Sequence, residues 1–540
     1  MGRRDLLFLA LIFGGAGSLV ATLAPALTPL REKPRERATP LATQAPVVAE
    51  VERTLRQEWA SAGLKPAPRA SELAVLRRLA LALTGTVPSI EEIRQFEARP
   101  ADDRLRHWLD GLLRDRRCAD YLAERLARAY VGTEDGPFLI FRRRRFVAWL
   151  SDELLRNRPY NDLVRELIAG NGLWTDHPAT NFLTVTFDAE TKEPNVERLA
   201  ARVARAFLGV RLDCAQCHNH PFQPWKQRDF QGLAAFFGQV HSGFSGIHDG
   251  TGEFRATDRK TGVLSVIEPR VPFANDLATD SATGSRREQL ADWVAHPNNP
   301  YLPRATVNRA WALMFGKPLV EPVDDLPSAG DPPRVLTLLA NDFVANGFDL
   351  RRLFRSIAES APFALDSASE PATDSSLSQA HEDAWAAFPM TRLRPEQVAG
   401  GLLQASSLET IDARSHILVR LATQIGTNEF VKRHGDMGED EFDARGGTIP
   451  QRLLLMNGNL VHDKTKDDFS NAAARVSILA PTDRSAVETA YLAVLTRRPT
   501  PEEAAHFEPR LAGTRDLVRK DRMTDLFWTL LNASEFSWNH

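Results

Sequence analysis

From about Glu50 onward, apolar residues recur at the three-and-four spacing of an amphipathic helix, and no other regularity in these 540 residues limits the architecture so tightly. Leu73, Leu76, Leu79, Ala80 and Leu83 set the pattern. Ser89-Ile90-Glu91-Glu92, following Pro88, has the hydroxyl and carboxylate spacing of a capping box and starts the next helix. Further helices are expected around 101–130, 142–156, 160–169, 197–208 (amphipathic, ending at Gly209), 286–294, 305–315, 335–345, 350–358, 394–406, 450–457, 484–495 and 501–511. The fold class read from this is mainly α, multi-helical, in two units. Short β or extended segments fall at 177–192, beside the cysteine–histidine motif, and in a connecting region. A chain this long exceeds one ordinary core, so two or three packed units are expected. Residues 241–285 are rich in Gly, Ser, Thr and Asp and read as the link, with small strands near 262–267. That divides the chain into helical units at 49–240 and 286–540. Residues 364–380 read as a surface loop. One echo is visible: Leu81-Ala82 … Pro88-Ser89-Ile90-Glu91-Glu92 … Phe96-Glu97 matches Leu492-Ala493 … Pro499-Thr500-Pro501-Glu502-Glu503 … Phe507-Glu508. Both are a helix, a Pro-hydroxyl cap and a second helix, which is a common αα-hairpin chemistry.

The amino terminus differs from the rest. Arg3 and Arg4 precede an almost uncharged run from Leu6 to Leu27, the layout of an export signal with a basic and then an apolar region. Ala24-Pro25-Ala26 offers an imperfect small-x-small cleavage pattern. The run also reaches the ~20 residues that cross a bilayer. Residues 1–30 therefore read as a signal peptide or an uncleaved membrane anchor, followed by a polar, proline-bearing tether over 31–48. The expected location is exported: periplasmic or cell-envelope, secreted or N-terminally anchored. A net charge of −3, from 67 basic and 70 acidic residues, gives no case for nucleic acid as a partner.

Export changes what the three cysteines mean. Cys118 lies in a helical stretch and reads as a semi-buried thiol without a role. Cys214 and Cys217 belong to Asp213-Cys214-Ala215-Gln216-Cys217-His218-Asn219-His220-Pro221-Phe222. A C-x-x-C-H run on a helical turn puts both thiols on one face, where they can add to the two vinyl groups of one porphyrin. His218 follows directly, so its imidazole can rise beneath the iron as the proximal ligand. Covalent haem c is the leading cofactor. Two other readings remain: zinc held by Cys214, Cys217, His218 and His220, with His218 and His220 tightly spaced for a closed tetrahedron, or no cofactor and a disulfide clamp. His220 sits too near His218 to cross to the other haem face and would orient His218 or a propionate, or serve as an alternative metal ligand. Candidates for a distal ligand are His177, His241, His248, Met314, Met390, Met437 and Met456.

Longer stretches carry a resemblance. Leu81-Ala82-Leu83-Thr84-Gly85-Thr86-Val87-Pro88, Arg158-Pro159-Tyr160-Asn161, Ala169-Gly170-Asn171, the run from Cys214 to Trp225, and Phe230 with Gly232 to Phe237 resemble the second type of planctomycete cytochrome C domain. Arg286 to Trp293, Asn299-Pro300, Val307-Asn308-Arg309-Ala310-Trp311, Phe315-Gly316, Leu319-Val320, Asp324-Asp325, Phe343 to Phe348 and Leu530 to Phe536 resemble the planctomycete PSD domain that usually follows it. Both are domains of unknown function. The resemblance implies an exported, mainly helical, cytochrome-like protein without naming a reaction. The chain departs from relatives in having one C-x-x-C-H run, and in reading Pro332-Pro333-Arg334-Val335 where a His-Pro-Glu-Leu run is frequent.

Other residues invite chemistry and have plainer readings. Asp324-Asp325 reads as a loop or cap rather than an acid–base pair, because adjacent carboxylates point apart on a regular element. Asn308-Arg309 with Trp311 reads as a helix around a packed indole, and Arg142–Arg145 as a solvated face with anionic lipid as the alternative partner. The function expected is electron transfer or haem-dependent redox at the cell envelope, with an unidentified redox protein as partner. The alternatives are a non-redox binding or scaffold protein with a structural cysteine–histidine clamp, or a metal-dependent hydrolase at the same residues; whether the chain is an enzyme stays open.

Overall fold

Helix boundaries follow the capping chemistry of the sequence. In the computed structural model, Ser71 starts the helix Glu72–Thr84 by accepting from the Ala74 amide, and Gly85 ends it at φ 68°. Ser89 and Glu92 form both bonds of the capping box ahead of Ile90–Glu97. The echoed hairpin behaves alike: Asp483–Leu495 ends at Thr496 with φ 58°, and Thr500 and Glu503 box the start of Pro501–Leu511. The structure describes residues 45–540 apart from 134–140, 189, 192, 258–261, 278–283, 328–329, 368–374, 413, 416–425, 428–429 and 432–470. The signal or anchor segment 1–30, residues 31–44 of the tether, the helix expected at 450–457, Met437 and Met456 lie outside them; the end of the stretch read as tether instead begins the helix Pro46–Ser61, with Val47 and Val48 buried. Among the described residues, no helix is long and apolar enough to cross a membrane.

The protein is mainly α. Helices at Pro46–Ser61, Ala101–Arg114, Arg116–Val131, Arg143–Leu155, Tyr160–Ala169, Val196–Val203 and Gln227–Ala235 lie in the first half with Glu72–Thr84 and Ile90–Glu97. Arg286–Val294, Tyr301–Phe315, Arg334–Ala345, Leu350–Ala358, Pro395–Ala405 and Asp516–Leu531 follow in the second. Sequence distance does not separate their packing. Leu81, Val87, Ile93 and Phe96 share one apolar core with Val398, Leu402, Ala490, Val494, Met523 and Phe527. Arg77 crosses between the halves to the Val494 carbonyl at 3.0 Å, and Gln397 reaches the Leu81 carbonyl at 3.0 Å. Residues 46–540 form one compact unit.

Three two-stranded antiparallel pairs complete the described chain. Val240–Gly243 pairs with Gly246–Asp249, Arg255–Thr257 with Leu264–Val266, and Thr391–Arg392 with Trp538–Asn539. The first hairpin is tied to the helices by Arg287, which is fully buried. Its guanidinium grips both oxygens of Asp249 and also reaches the Ile168 and Gly170 carbonyls and the Asn171 amide oxygen. A buried cation with every direction filled by acceptors is held firmly in place.

Two local expectations change. The β-favouring stretch Asn181-Phe182-Leu183-Thr184 is a helical turn, not a strand. The buried Asn181 donates to the Trp174 and Pro178 carbonyls and accepts from the Arg142 amide, so tertiary bonds override the strand propensity. Within 364–380, read as a loop, a helix covers Ser375–Asp383.

Candidate functional site

The cysteine–histidine segment is reached through a helix that changes its winding. Asn195 caps Val196–Val203, which continues as a π-helical turn over Ala204–Leu208 and stops at Gly209, φ 61°. An α-helix running to Leu208 is the sequence expectation; the wider turn arises because the Gly209 amide bonds to the Ala204 carbonyl. A side chain at Gly209 would be strained by the left-handed backbone and tight as well, since its Cβ would lie 3.0 Å from the Ala305 methyl.

A 3₁₀ turn over Asp213–Gln216 then presents the motif. Ala215 is fully buried and anchors the turn, while Cys214, Cys217 and His218 are exposed. All three cysteines are thiols; Cys118, unlike the pair, is buried, and burial pushes its thiol up to about 12. Polar bonds hold the exposed turn from beneath. Arg205 pairs with Asp213 at 3.0 Å, Gln216 donates to Glu197 at 2.7 Å, and the Gln227 amide donates to the Asn219 side chain at 3.0 Å. The loop closes where the His220 amide donates to the Trp225 carbonyl at 2.8 Å.

The two histidines are held in opposite tautomers by their neighbours. His218 Nδ1 lies 2.8 Å from the Asn219 carbonyl oxygen, which only accepts, so in the neutral ring Nδ1 carries the proton and Nε2 keeps its lone pair. His220 Nδ1 receives the Phe222 and Gln223 amides at 3.2 and 3.0 Å, so in the neutral ring the proton sits on Nε2. Phe222, 92% exposed, stands edge-on to His220. Among the described residues, no group of three or more His, Cys, Asp or Glu converges as a metal site, so Cys214, Cys217, His218 and His220 share one loop without facing a common centre.

The other candidates scatter. His241 and His248 are cross-strand partners in the first hairpin, ring centroids 6.1 Å apart, with His241 against Glu193. His177 is exposed and packs over Gly172. Met314 is fully buried inside Tyr301–Phe315, and Met390 is half-exposed. Asn308 exchanges two bonds with the Val320 backbone, Arg309 reaches the Ala206 carbonyl, and Trp311 stacks on Phe315 at 4.4 Å, so this trio is structural. In the Arg142–Arg145 run, Arg143 pairs with Glu124 and Arg145 donates to the Thr175 carbonyl, while Arg144 is exposed. Asp324 and Asp325 sit in a loop against Arg211 and Gln223, beside the motif. Arg211 and Gln223 carry no mark in the sequence, because their partners Asp324 and Asp325 lie more than 100 residues away; Arg205 pairs locally with Asp213 and is an ordinary polar residue of its helix.

Residues 50–242 match the PSCyt2 family, described as a protein of unknown function (DUF1549), and residues 286–426 match the PSD1 family, described as a protein of unknown function (DUF1553). The chain carries these two domains, in this order. No curated protein and no solved structure matches it. The cysteine–histidine loop belongs to the PSCyt2 segment, and Asp324 and Asp325 belong to PSD1.

Proposed function

We propose that this protein is an exported redox protein that holds one haem covalently through Cys214 and Cys217, with His218 as the proximal ligand. The observation that carries the reading is the bond between His218 Nδ1 and the Asn219 carbonyl oxygen. A histidine that ligates a metal through one ring nitrogen typically donates the other to a carbonyl or carboxylate, which fixes the ring and raises its basicity. His218 has that bond already, to Asn219, with Nε2 left over on an exposed side chain. The two thiols required for attachment stand exposed on the same turn. Bound there, haem would supply one-electron transfer at a potential set by axial ligand and solvent access.

His220 supports this reading over a four-ligand zinc centre. Its Nδ1 is occupied by two main-chain amides and its Nε2 carries the proton, so the ring offers no lone pair to a metal without breaking the loop's own bonds. Its role is to shape the chain after His218. The export signature at Arg3, Arg4 and Leu6–Leu27 supports an envelope location, where haem attachment and a redox partner protein would be found.

The contrast between the two histidines tests the assignment in the full chain co-expressed with haem-attachment machinery. His218→Ala is expected to lose the spectrum of a histidine-ligated haem while the thioether bonds still form. His220→Ala is expected to keep that spectrum. Equal loss in both variants, or retention in His218→Ala, would remove His218 from the role.

A further inference from the structure

We infer that the PSD1 segment positions the cysteine–histidine loop through a carboxylate latch at Asp324 and Asp325, so that one site is built by both domains. Four successive points on the loop's stems are held by residues 305–326. Arg309 donates to the Ala206 carbonyl at 2.8 Å, and the Leu326 amide donates to the Gly209 carbonyl at 2.7 Å. The Arg211 amide donates to Asp325 Oδ1 at 3.1 Å, while its guanidinium meets Asp324 Oδ1 at 2.7 and 3.0 Å. On the far side of the motif, Gln223 Nε2 lies 3.3 Å from both Asp325 oxygens, and Gln223 Oε1 accepts from the Trp225 indole at 2.8 Å.

Asp325 therefore bridges the stem that precedes Cys214 and the stem that follows His218. The adjacent carboxylates divide the work: Asp324 takes the Arg211 side chain, Asp325 the Arg211 main chain and Gln223. Bonds to an ionised acceptor are stronger than neutral ones, and joining both stems removes conformational freedom from everything between them. Asp324 is buried and Asp325 half-buried, which shields the latch from competing water. The latch stands on these bonds alone, while its consequence for His218 rests on the proposed haem reading. Asp324 and Asp325 are thus positioning residues.

Hydrogen exchange of the full chain, with and without haem, tests this. In Asp325→Ala, exchange at Arg211 and across 220–225 is expected to rise roughly five- to tenfold, the worth of about one lost hydrogen bond. Asp325→Asn keeps an acceptor and is expected to fall between. Cys118 reports on the global fold: it is 3% exposed and stays unmodified by an alkylating reagent unless the helices open. If Asp325→Ala exposes Cys118, Gln223→Ala, which removes one strut only, is expected to show the same local rise with Cys118 protected. In the haem-loaded chain, Asp325→Ala is expected to shift the reduction potential, with partial restoration in Asp325→Asn. Unchanged loop exchange in a folded variant overturns the latch. Faster exchange with an unmoved potential overturns the positioning of His218. If the unaltered chain takes no haem, the functional reading fails, and exchange still decides the latch.

Discussion

At Gly85 the backbone sits at φ 68°, and a Cβ there would fall 2.4 Å from the Tyr121 ring, whose hydroxyl receives Arg394 at 2.6 Å. A side chain at this point costs both backbone strain and displacement of a buried tyrosine. Gly85→Ala is expected to destabilise the protein by about 2 kcal/mol or more, read from its urea midpoint, whereas Gly63→Ala, at φ 66° with open space, carries the strain alone. The same scale governs the functional loop. C-x-x-C-H was legible because its residues are contiguous and their chemistry depends on spacing. The tautomers of His218 and His220 were not, because they are set by which carbonyl or amide the folded loop brings within 2.8 to 3.2 Å. Asp324-Asp325 was visible as a pair and legible as a loop, but its partners lie in another domain.

Caps decide the elements. Ser89 is buried and its hydroxyl both caps the Glu92 amide and meets Thr410 at 2.8 Å, while Thr500 caps Glu503 from the surface. Replacing either with Ala is expected to cost about 0.5–2 kcal/mol, with Ser89→Ala at the upper end because its hydroxyl is buried and the bond to Thr410 is lost with the cap. Thermal unfolding of the two single variants checks the order. These boxes were readable from sequence, as were most helices of the first half and the echo between Ser89 and Thr500. The helix Asp516–Leu531 was not, since Leu517 and Val518 face solvent while Met523, Leu526 and Phe527 are buried, blurring the apolar stripe. The 181–184 turn was misread as β-favouring because the bonds that decide it come from Trp174, Pro178 and Arg142.

Across the whole molecule, ion pairs join the halves. Glu396 meets Arg125 at 2.7 Å and Arg394 at 3.1 Å; burial alone would raise its carboxyl, but the two guanidinium groups hold it below the usual range. Glu396→Gln leaves these buried cations short of an anion and is expected to cost about 3–5 kcal/mol by urea unfolding. Glu535 ties the carboxy-terminal segment to Arg497 at 2.6 and 2.8 Å. Burial raises its carboxyl, yet bonds from Arg497 and His540 outweigh it and bring the group down to about 2, from an ordinary 4.5. Its contribution is therefore complete above pH 4.5 and lost as the pH falls towards 2. Glu535→Gln is expected to flatten that acid limb, measured by urea unfolding at several pH values. Such long-range pairs explain why helices were legible and their packing was not: a salt bridge between Arg125 and Glu396 leaves no local sequence mark. The central claim, a covalent haem at Cys214–His218, is tested most directly by the intact mass and visible spectrum of the chain co-expressed with haem-attachment machinery. The added mass of one haem is expected on the peptide bearing Cys214 and Cys217, with a histidine-ligated spectrum; an unmodified chain under conditions that load a control cytochrome would contradict the covalent haem.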